Sequence, residues 1–390
     1  MLVCVLGRQP KLGIAELEAL VGPDSVRPFG ENCAIVERER SGLSQDGLGG
    51  TVKIGEVLAT IPSIKWTKVH DASRLEIVRR MAEMAKGAEH KLTLGISAYG
   101  FGVSPRQVRN LAFEAKKKLA GKGVSARVVT VGDYNDLNSA QVIHNKLTGE
   151  FGGEFMLVSD SEKTHVARTL SVQDIASYSK RDYDRPRRDL ATGMMPPKLA
   201  QIMLNLAQAG PNNAVLDPFC GTGTILMEAA LKRSRVIGSD IRPVMLDCSR
   251  DNLEWLSREY RVDVKAQLVC ADASSHRWKG FDRVVSETYL GPLFTRMPDP
   301  RRLHDAIREC DELVGEFLTN LRPQLDRRSR CCIAVPAWNT PQGRVSLPVV
   351  RMLGELGYLR VEFRHVGPEE LVYSRPDQLV GRELLVLTVR

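Results

Sequence analysis

Hydrophobic and polar positions divide the chain into two stretches with different rhythms. Up to about residue 170, apolar runs come irregularly between charged segments. MLVCVLG (1–7) predicts a strand, and Lys11 to Val21 places Ile14, Leu17, Leu20 and Val21 on one face of a helix. NCAIVE (32–37) and IGEVLATI (54–61) predict strands on either side of a Gly/Ser-rich loop. LTLGISAYG (92–100) predicts another strand. Ser104 and Pro105 then open a helix, as N-cap and first-turn proline. It runs to about Leu119, with Val108, Leu111, Phe113, Ala115 and Leu119 on its buried side. ARVVTV (126–131), a short helix from Ser139 to Lys146, and EFMLVS (154–159) follow.

From Leu199 the rhythm becomes regular. A helix at 199–208 leads into strands at 214–219, 235–240, 265–272, 282–287 and 330–336. Helices at 224–232, 243–260 and 301–321 and a short one at 347–356 are interleaved with them. Two strands, 358–366 and 382–389, close the chain without a full helix between them. Alternation of this kind predicts an α/β fold: a doubly wound, mostly parallel sheet with an antiparallel edge. The expected division is an α+β unit over 1–60, a second α+β domain over 61–178, a charged Pro/Gly-containing linker over 179–198, and the α/β domain over 199–390.

Charge changes this picture more than composition does. The 390 residues carry a net charge of +8, with 43% hydrophobic and 26% charged residues, a globular composition. Ile61 to Val128 holds 14 Lys/Arg against 5 Asp/Glu, so the rest of the chain is close to neutral. A localised basic region suits a polyanionic partner. Within it, Arg106, Arg109, Lys116, Lys117 and Lys118 fall on the predicted 104–119 helix, and four arginines crowd 181–188 in the linker, Arg187 and Arg188 among them. The longest uncharged stretch, Leu199 to Leu216, is too polar to span a membrane, and the first residues lack a leader pattern. The 8 cysteines form no CxxC pair, so no zinc site is expected, and reduced thiols in a cytoplasmic protein are.

The candidate chemistry lies at the strand ends of the regular half. AVLDPFCGTGTILMEAA (214–230) is a strand ending in Asp217, a loop with Gly221 and Gly223, and a helix. Glycines there admit a ligand close to the backbone and to the amides at the helix start. The pattern is neither GxGxxG nor a P-loop. The next strand ends in Asp240, placed to bind a ribose hydroxyl pair. The third ends in Asp272-Ala273, where a carboxylate can meet an adenine amino group. The fourth ends in Ser286-Glu287-Thr288-Tyr289.

DPFCGTGTILMEA resembles motif I of class I S-adenosylmethionine-dependent methyltransferases, which have a Rossmann-like fold. Within that superfamily the chain is similar to the tRNA guanine-N2 methyltransferases, guanine-10 type, that carry an N-terminal THUMP domain. LGISAYG and VRNLAFEAKKKLAGKGVSARVVT are similar to the THUMP core, and RDLATGMMPPKLAQIMLNLA to the segment before motif I. The resemblance implies that S-adenosyl-L-methionine is held by Asp217, Gly221 and Gly223 at its methionine part, by Asp240 at the ribose and by Asp272 at the adenine, with Phe219, Ile241 and Ala273 also among the cofactor-binding residues. Thr192 to Pro197 would close over the amino-acid end.

Methylating an exocyclic amine requires an acceptor for its N–H groups and an aromatic ring to stack the extruded base. The family usually supplies Asp/Asn-Pro-Pro-Tyr/Phe after strand four. Here Tyr289 matches the aromatic place and Ser286 stands at the acid or amide place, without prolines. Two readings stay open: Glu287 supplies the acceptor one position along, or the site binds without catalysis. No Pro-Cys follows the strand, which argues against base-C5 methylation. The expected partner is tRNA, held by its backbone on the basic helix and on Arg187 and Arg188. An activating subunit is not excluded. Alternatives are amino-group methylation of DNA or rRNA, and a non-catalytic RNA-binding module.

Overall fold

The computed structural model describes residues 1–37, 43–85, 91–189, 194–294, 296–375 and 378–390. They form two units: Met1–Ile14 with Gly22–Ala176, and Ala15–Val21 with Ser177–Arg390. In chain order the first elements are β1 (Leu2–Leu6), α1 (Pro10–Val21), β2 (Val26–Phe29), β3 (Cys33–Val36), β4 (Thr51–Ile61), α2 (Trp66–Met84), β5 (Leu92–Tyr99), α3 (Pro105–Ala120), β6 (Ala126–Val129), α4 (Ser139–His144), β7 (Gly152–Ser159), β8 (Thr164–Val172) and α5 (Ile175–Ser179).

The strands make one sheet in the order β2-β3-β1-β4-β8-β7-β5-β6, parallel only where β5 meets β6 and β7. The division expected at residue 60 falls inside β4, which pairs with β1 on one side and β8 on the other. Strands of 1–60 and 61–178 therefore share a sheet. Four of these elements were not foreseen: β2, β8, α2 and α5. The buried stripe of α2 is Val69, Ser73, Ile77, Val78 and Met81. A serine interrupts it and Leu75 on the same helix is exposed, which hid the helical period. Leu20 and Phe113, expected to be buried, are exposed, Phe113 by 50%.

The basic segment is less basic in space than in sequence. On α2, Arg74 pairs with Asp71 and Glu114, and Arg79 and Arg80 pair with Glu76 and Glu83. The free positive charge concentrates on α3. That helix starts as its sequence demands: Gln107 Oε1 accepts the Ser104 amide at 3.0 Å, part of a capping box, with Pro105 in the first turn.

The second unit continues with α6 (Pro197–Leu206), β9 (Ala214–Asp217), α7 (Thr224–Leu231), β10 (Arg235–Asp240), α8 (Pro243–Tyr260), β11 (Ala266–Cys270), β12 (Arg283–Glu287), α9 (Pro300–Leu321), β13 (Arg330–Thr340), β14 (Gly343–Ser346), β15 (Tyr358–Arg360), β16 (Val372–Tyr373) and β17 (Val380–Val389). Its sheet runs β11-β10-β9-β12-β13-β17-β15, with β14 on β13 and β16 on β17. The strands from β11 to β13 are parallel, and β17 and β15 are antiparallel, the predicted edge. β9 is buried throughout, as a strand in the middle of such a sheet must be. Leu216, Val284, Ile333, Phe317 and Tyr358 belong to its main core. The helix expected at 347–356 is only a 3-10 turn, Pro348–Arg351, and the strand expected at 358–366 ends at Arg360.

The expected linker is packed where it is described. Arg181 and Arg185 are buried. Arg181 Nε donates to Glu228 Oε1 at 2.5 Å, and its guanidinium lies 4.6 Å from the Tyr178 ring centre. Arg185 Nη1 donates to Thr224 Oγ1 at 2.5 Å. Two of the four arginines are thus part of the domain's interior. Among the described residues, no helix is long and apolar enough to cross a membrane, and no His/Cys/Asp/Glu group is arranged to hold a metal ion.

Candidate active site

Parallel strands end on one edge of a sheet, so their terminal side chains are brought together there. Asp217, Asp240 and Glu287 close β9, β10 and β12, and Asp272 lies two residues beyond β11. Two cavities open at this edge. The larger, about 670 Å³, is lined by Asp240, Ile241, Asp272, Ala273, Glu287 and Tyr289 among others. The smaller, about 80 Å³, includes Asp217, Met194, Met195 and Thr222. Phe219, Gly221, Arg242 and Glu287 line both.

The loop between β9 and α7 is held by its own backbone and by its neighbours. Gly221 and Gly223 have φ of 51° and 84°, the left-handed region that glycine tolerates. A Cβ on Gly223 would stand 2.9 Å from Ser249 Oγ. The Gly221 amide donates to Asp240 Oδ2 at 3.0 Å, and its carbonyl accepts from Ser249 Oγ at 2.8 Å. Asn252 Nδ2 donates to the Thr222 carbonyl at 2.8 Å. Asp240 therefore does two things: it braces the loop and lines the larger cavity. Asp272 is exposed, with Oδ1 accepting from the Ser274 amide and hydroxyl, both at 2.8 Å. Ile241 is 65% exposed. Thr192 lies outside the described residues.

Asp217 is buried, and its Oδ1 accepts from Ser286 Oγ at 2.6 Å and from the Phe219 amide at 3.2 Å. Burial pushes its carboxyl up to about 7, against the pull of those donors; the nearby charges of Asp240 and Glu287 add to the rise. Ser286 is itself fully buried. Its hydroxyl donates to Asp217 and it lines neither cavity, so it stands behind the wall and not at the open place the sequence suggested for it. Cys220 is also buried, and burial raises its thiol well above the ordinary range, so the thiolate a nucleophile needs is disfavoured.

Glu287 is the carboxylate that lines both cavities, and it is not alone. Arg382 Nε, on β17, donates to Glu287 Oε1 in a nearly buried ion pair. The sequence reading missed Arg382. The available signal was a charged pair, Arg382-Glu383, at the start of the otherwise apolar strand GRELLVLTV. Thr288 is buried and its amide donates to the Ala334 carbonyl at 3.0 Å. Tyr289 is 39% exposed and lines the larger cavity; partial burial, with Glu309 nearby, raises its phenol.

In the first unit, Arg106, Lys116, Lys117 and Lys118 are exposed on α3. Arg109 is partly tied down, donating to the carbonyls of Val131 at 3.3 Å and Gly132 at 3.1 Å. In the second unit, Arg187 is exposed but paired with Asp251, and Arg188 lies 5.3 Å over the Tyr183 ring.

Comparison with known proteins bears on the fold and the family likeness of the second unit. Residues 185–355 match the family model described as RMKL-like, methyltransferase domain. A second model, described as DNA methylase, matches residues 117–251. A tRNA (guanine(10)-N2)-dimethyltransferase of Methanothermobacter thermautotrophicus is 34% identical over 43% of this chain and 48% of its own length. A Pyrococcus abyssi protein of the same name is 42% identical over 37% of this chain and 39% of its own. The chain thus spans about half, or less, of the curated relatives it matches. Among solved structures, TrmN from Thermus thermophilus matches over 100% of this chain and 99% of its own, with a TM-score of 0.55 at 17% identity. That similarity establishes the fold alone, a Rossmann-like α/β domain with a preceding α+β region.

Proposed function

We propose that the protein is an S-adenosylmethionine-dependent RNA methyltransferase acting on the exocyclic N2 of a guanine in tRNA, of the guanine-10 type. The carrying observation is the position of Glu287, a carboxylate on the wall shared by two cavities.

The residues present fit the cofactor. Gly221, at positive φ and with open space where a Cβ would stand, leaves the loop backbone bare toward both cavities. Asp217 and Asp240 stand at successive strand ends, and Asp272 just past the third. In this assignment Gly221, Gly223, Phe219 and Asp217 hold the amino-acid part, Asp240 and Ile241 the ribose, and Asp272 and Ala273 the adenine. S-adenosylmethionine supplies an electrophilic methyl group on a sulfonium.

The chain's own part is to present the amine. Glu287 accepts hydrogen bonds from the N–H groups, which raises electron density on nitrogen and holds it in line. Tyr289 stacks on the extruded base. Ser286 acts through Asp217, whose carboxylate it steadies, and not on the substrate. The amine proton leaves to solvent after transfer. Arg106, Lys116, Lys117 and Lys118, with Arg109, Arg187 and Arg188, bind phosphates. The first unit, THUMP-like in sequence, holds the RNA. A cytoplasmic location fits this work.

The test is incubation of the purified chain with unmodified tRNA and S-adenosylmethionine, then digestion and mass spectrometry of the nucleosides. N2-methylguanosine or its dimethyl form is expected. A second reading, amino-group methylation of DNA or rRNA, is favoured by the DNA-methylase match and is tested in parallel on those substrates. Bound cofactor and tRNA without product, with or without cell extract to supply an activating subunit, would reject the enzymatic reading.

A further inference from the structure

We infer that Arg382 is a positioning residue for methyl transfer: it reaches across β13 to fix Glu287 as a rigid acceptor on the wall between the two cavities. This rests on the proposed role of Glu287.

The inference starts from strand register. Glu287 pairs with Ala334 on β13, and Ala334 pairs with Leu384 on β17. Two residues further along β13, Pro336 pairs with Arg382. Side chains alternate along a strand, so Glu287, Ala334, Pro336 and Arg382 share one face. The two positions between the charged partners are a small residue and a compact one, which leaves room for a long arginine to cross a whole strand. Sequence separates the partners by 95 residues.

The pair is one-sided. Arg382 Nε takes Oε1, while no described residue donates to Oε2, and Glu287 lines both cavities. A carboxylate free to rotate would lose its aim at the amine. A carboxylate pinned through one oxygen keeps the other for the substrate. A planar guanidinium suits this because its geometry is fixed and its charge is permanent.

The experiment compares wild type, Arg382→Met, Arg382→Lys, Glu287→Ala and the Glu287→Ala/Arg382→Met double variant. Arg382→Met is expected to lower kcat between about tenfold and a hundredfold, the cost of a slightly misplaced group. Its tRNA KM and its S-adenosylmethionine Kd by calorimetry should stay within about twofold. Arg382→Lys should recover part of kcat. In the Glu287→Ala background, Arg382→Met should cost nothing more. An equal loss in both backgrounds, or loss of cofactor binding, would mean that Arg382 only supports the fold and would overturn the inference. A second arm needs no activity: crystals of Arg382→Met should show the Glu287 carboxylate displaced or disordered, and those of Arg382→Lys should show it in place. An undisplaced Glu287 in Arg382→Met overturns the inference even where transfer is seen. An inactive wild type would reject the proposed function alone, and the crystals would still decide the role of Arg382.

Discussion

The two units each contain a nearly buried ion pair inside a sheet, and the pairs are built differently. In the first, Lys53 on β4 pairs with Glu154 on β7. Glu154 also accepts from Ser97 Oγ at 2.6 Å and Thr169 Oγ1 at 2.7 Å, and Lys53 donates to the Leu137 carbonyl. Both carboxylate oxygens are used, and neither residue lines the cavities of the second unit. In the second, Glu287 and Arg382 make a pair with one oxygen left over, on a cavity wall. A saturated buried network specifies a fold. An unsaturated one at an opening has capacity for a ligand. Burial or charge alone does not separate the two; the count of remaining acceptors does.

Four experiments would break or sharpen this contrast. Lys53→Met should have the largest effect, a loss of about 3–5 kcal/mol in chemical denaturation, because it strands a buried carboxylate. Methyl transfer per folded molecule should stay within about twofold. Glu287→Ala should do the reverse: a loss of about 10²–10³ in kcat, as for removal of a group that acts in the transition state, with RNA affinity retained. If each variant damaged both stability and turnover equally, the contrast would collapse.

Asp217 gives a pH signature. Its carboxyl is raised from 3.8 to about 7 in the fold, so between those values the folded state binds more protons than the unfolded chain. Stability of the ligand-free protein should therefore fall as pH rises from about 4 to about 7, and this contribution should level off above that. Asp217→Asn should flatten the slope in a series of thermal melts. Smallest is the effect of the exposed face of α3. Lys116→Ala/Lys117→Ala should weaken tRNA binding about several-fold at moderate salt and reduce the log–log salt slope by about one per lysine. An unchanged slope would remove α3 from the RNA interface.

The sequence revealed the second unit better than the first. Its βα alternation, the glycine loop and the acids at three strand ends are local signals, and the elements from α6 to β13 lie where their period placed them. The first unit hid α2, β2 and β8, because Ser73 interrupts the α2 stripe and short strands in a mixed sheet have weak periodicity. Near the site, Asp217, Asp240, Asp272, Glu287 and Tyr289 were all visible as residues at strand ends. The inward commitment of Ser286 and the burial of Arg181 and Arg185 were not. A serine at a strand end or an arginine in a charged run reads the same whether it faces solvent or the interior.

By itself, then, the chain's order of residues determined which side chains close each parallel strand and where the backbone must turn through glycine. Those depend on side-chain alternation and on local dihedral angles. Only the tertiary structure decided which carboxylate lines both cavities. Ser286 finds Asp217 across 69 residues and Arg382 finds Glu287 across 95, because β12 lies between β9 and β13 and β17 pairs on the far side of β13. Strand order and register are set by packing of the whole sheet, which no local pattern encodes.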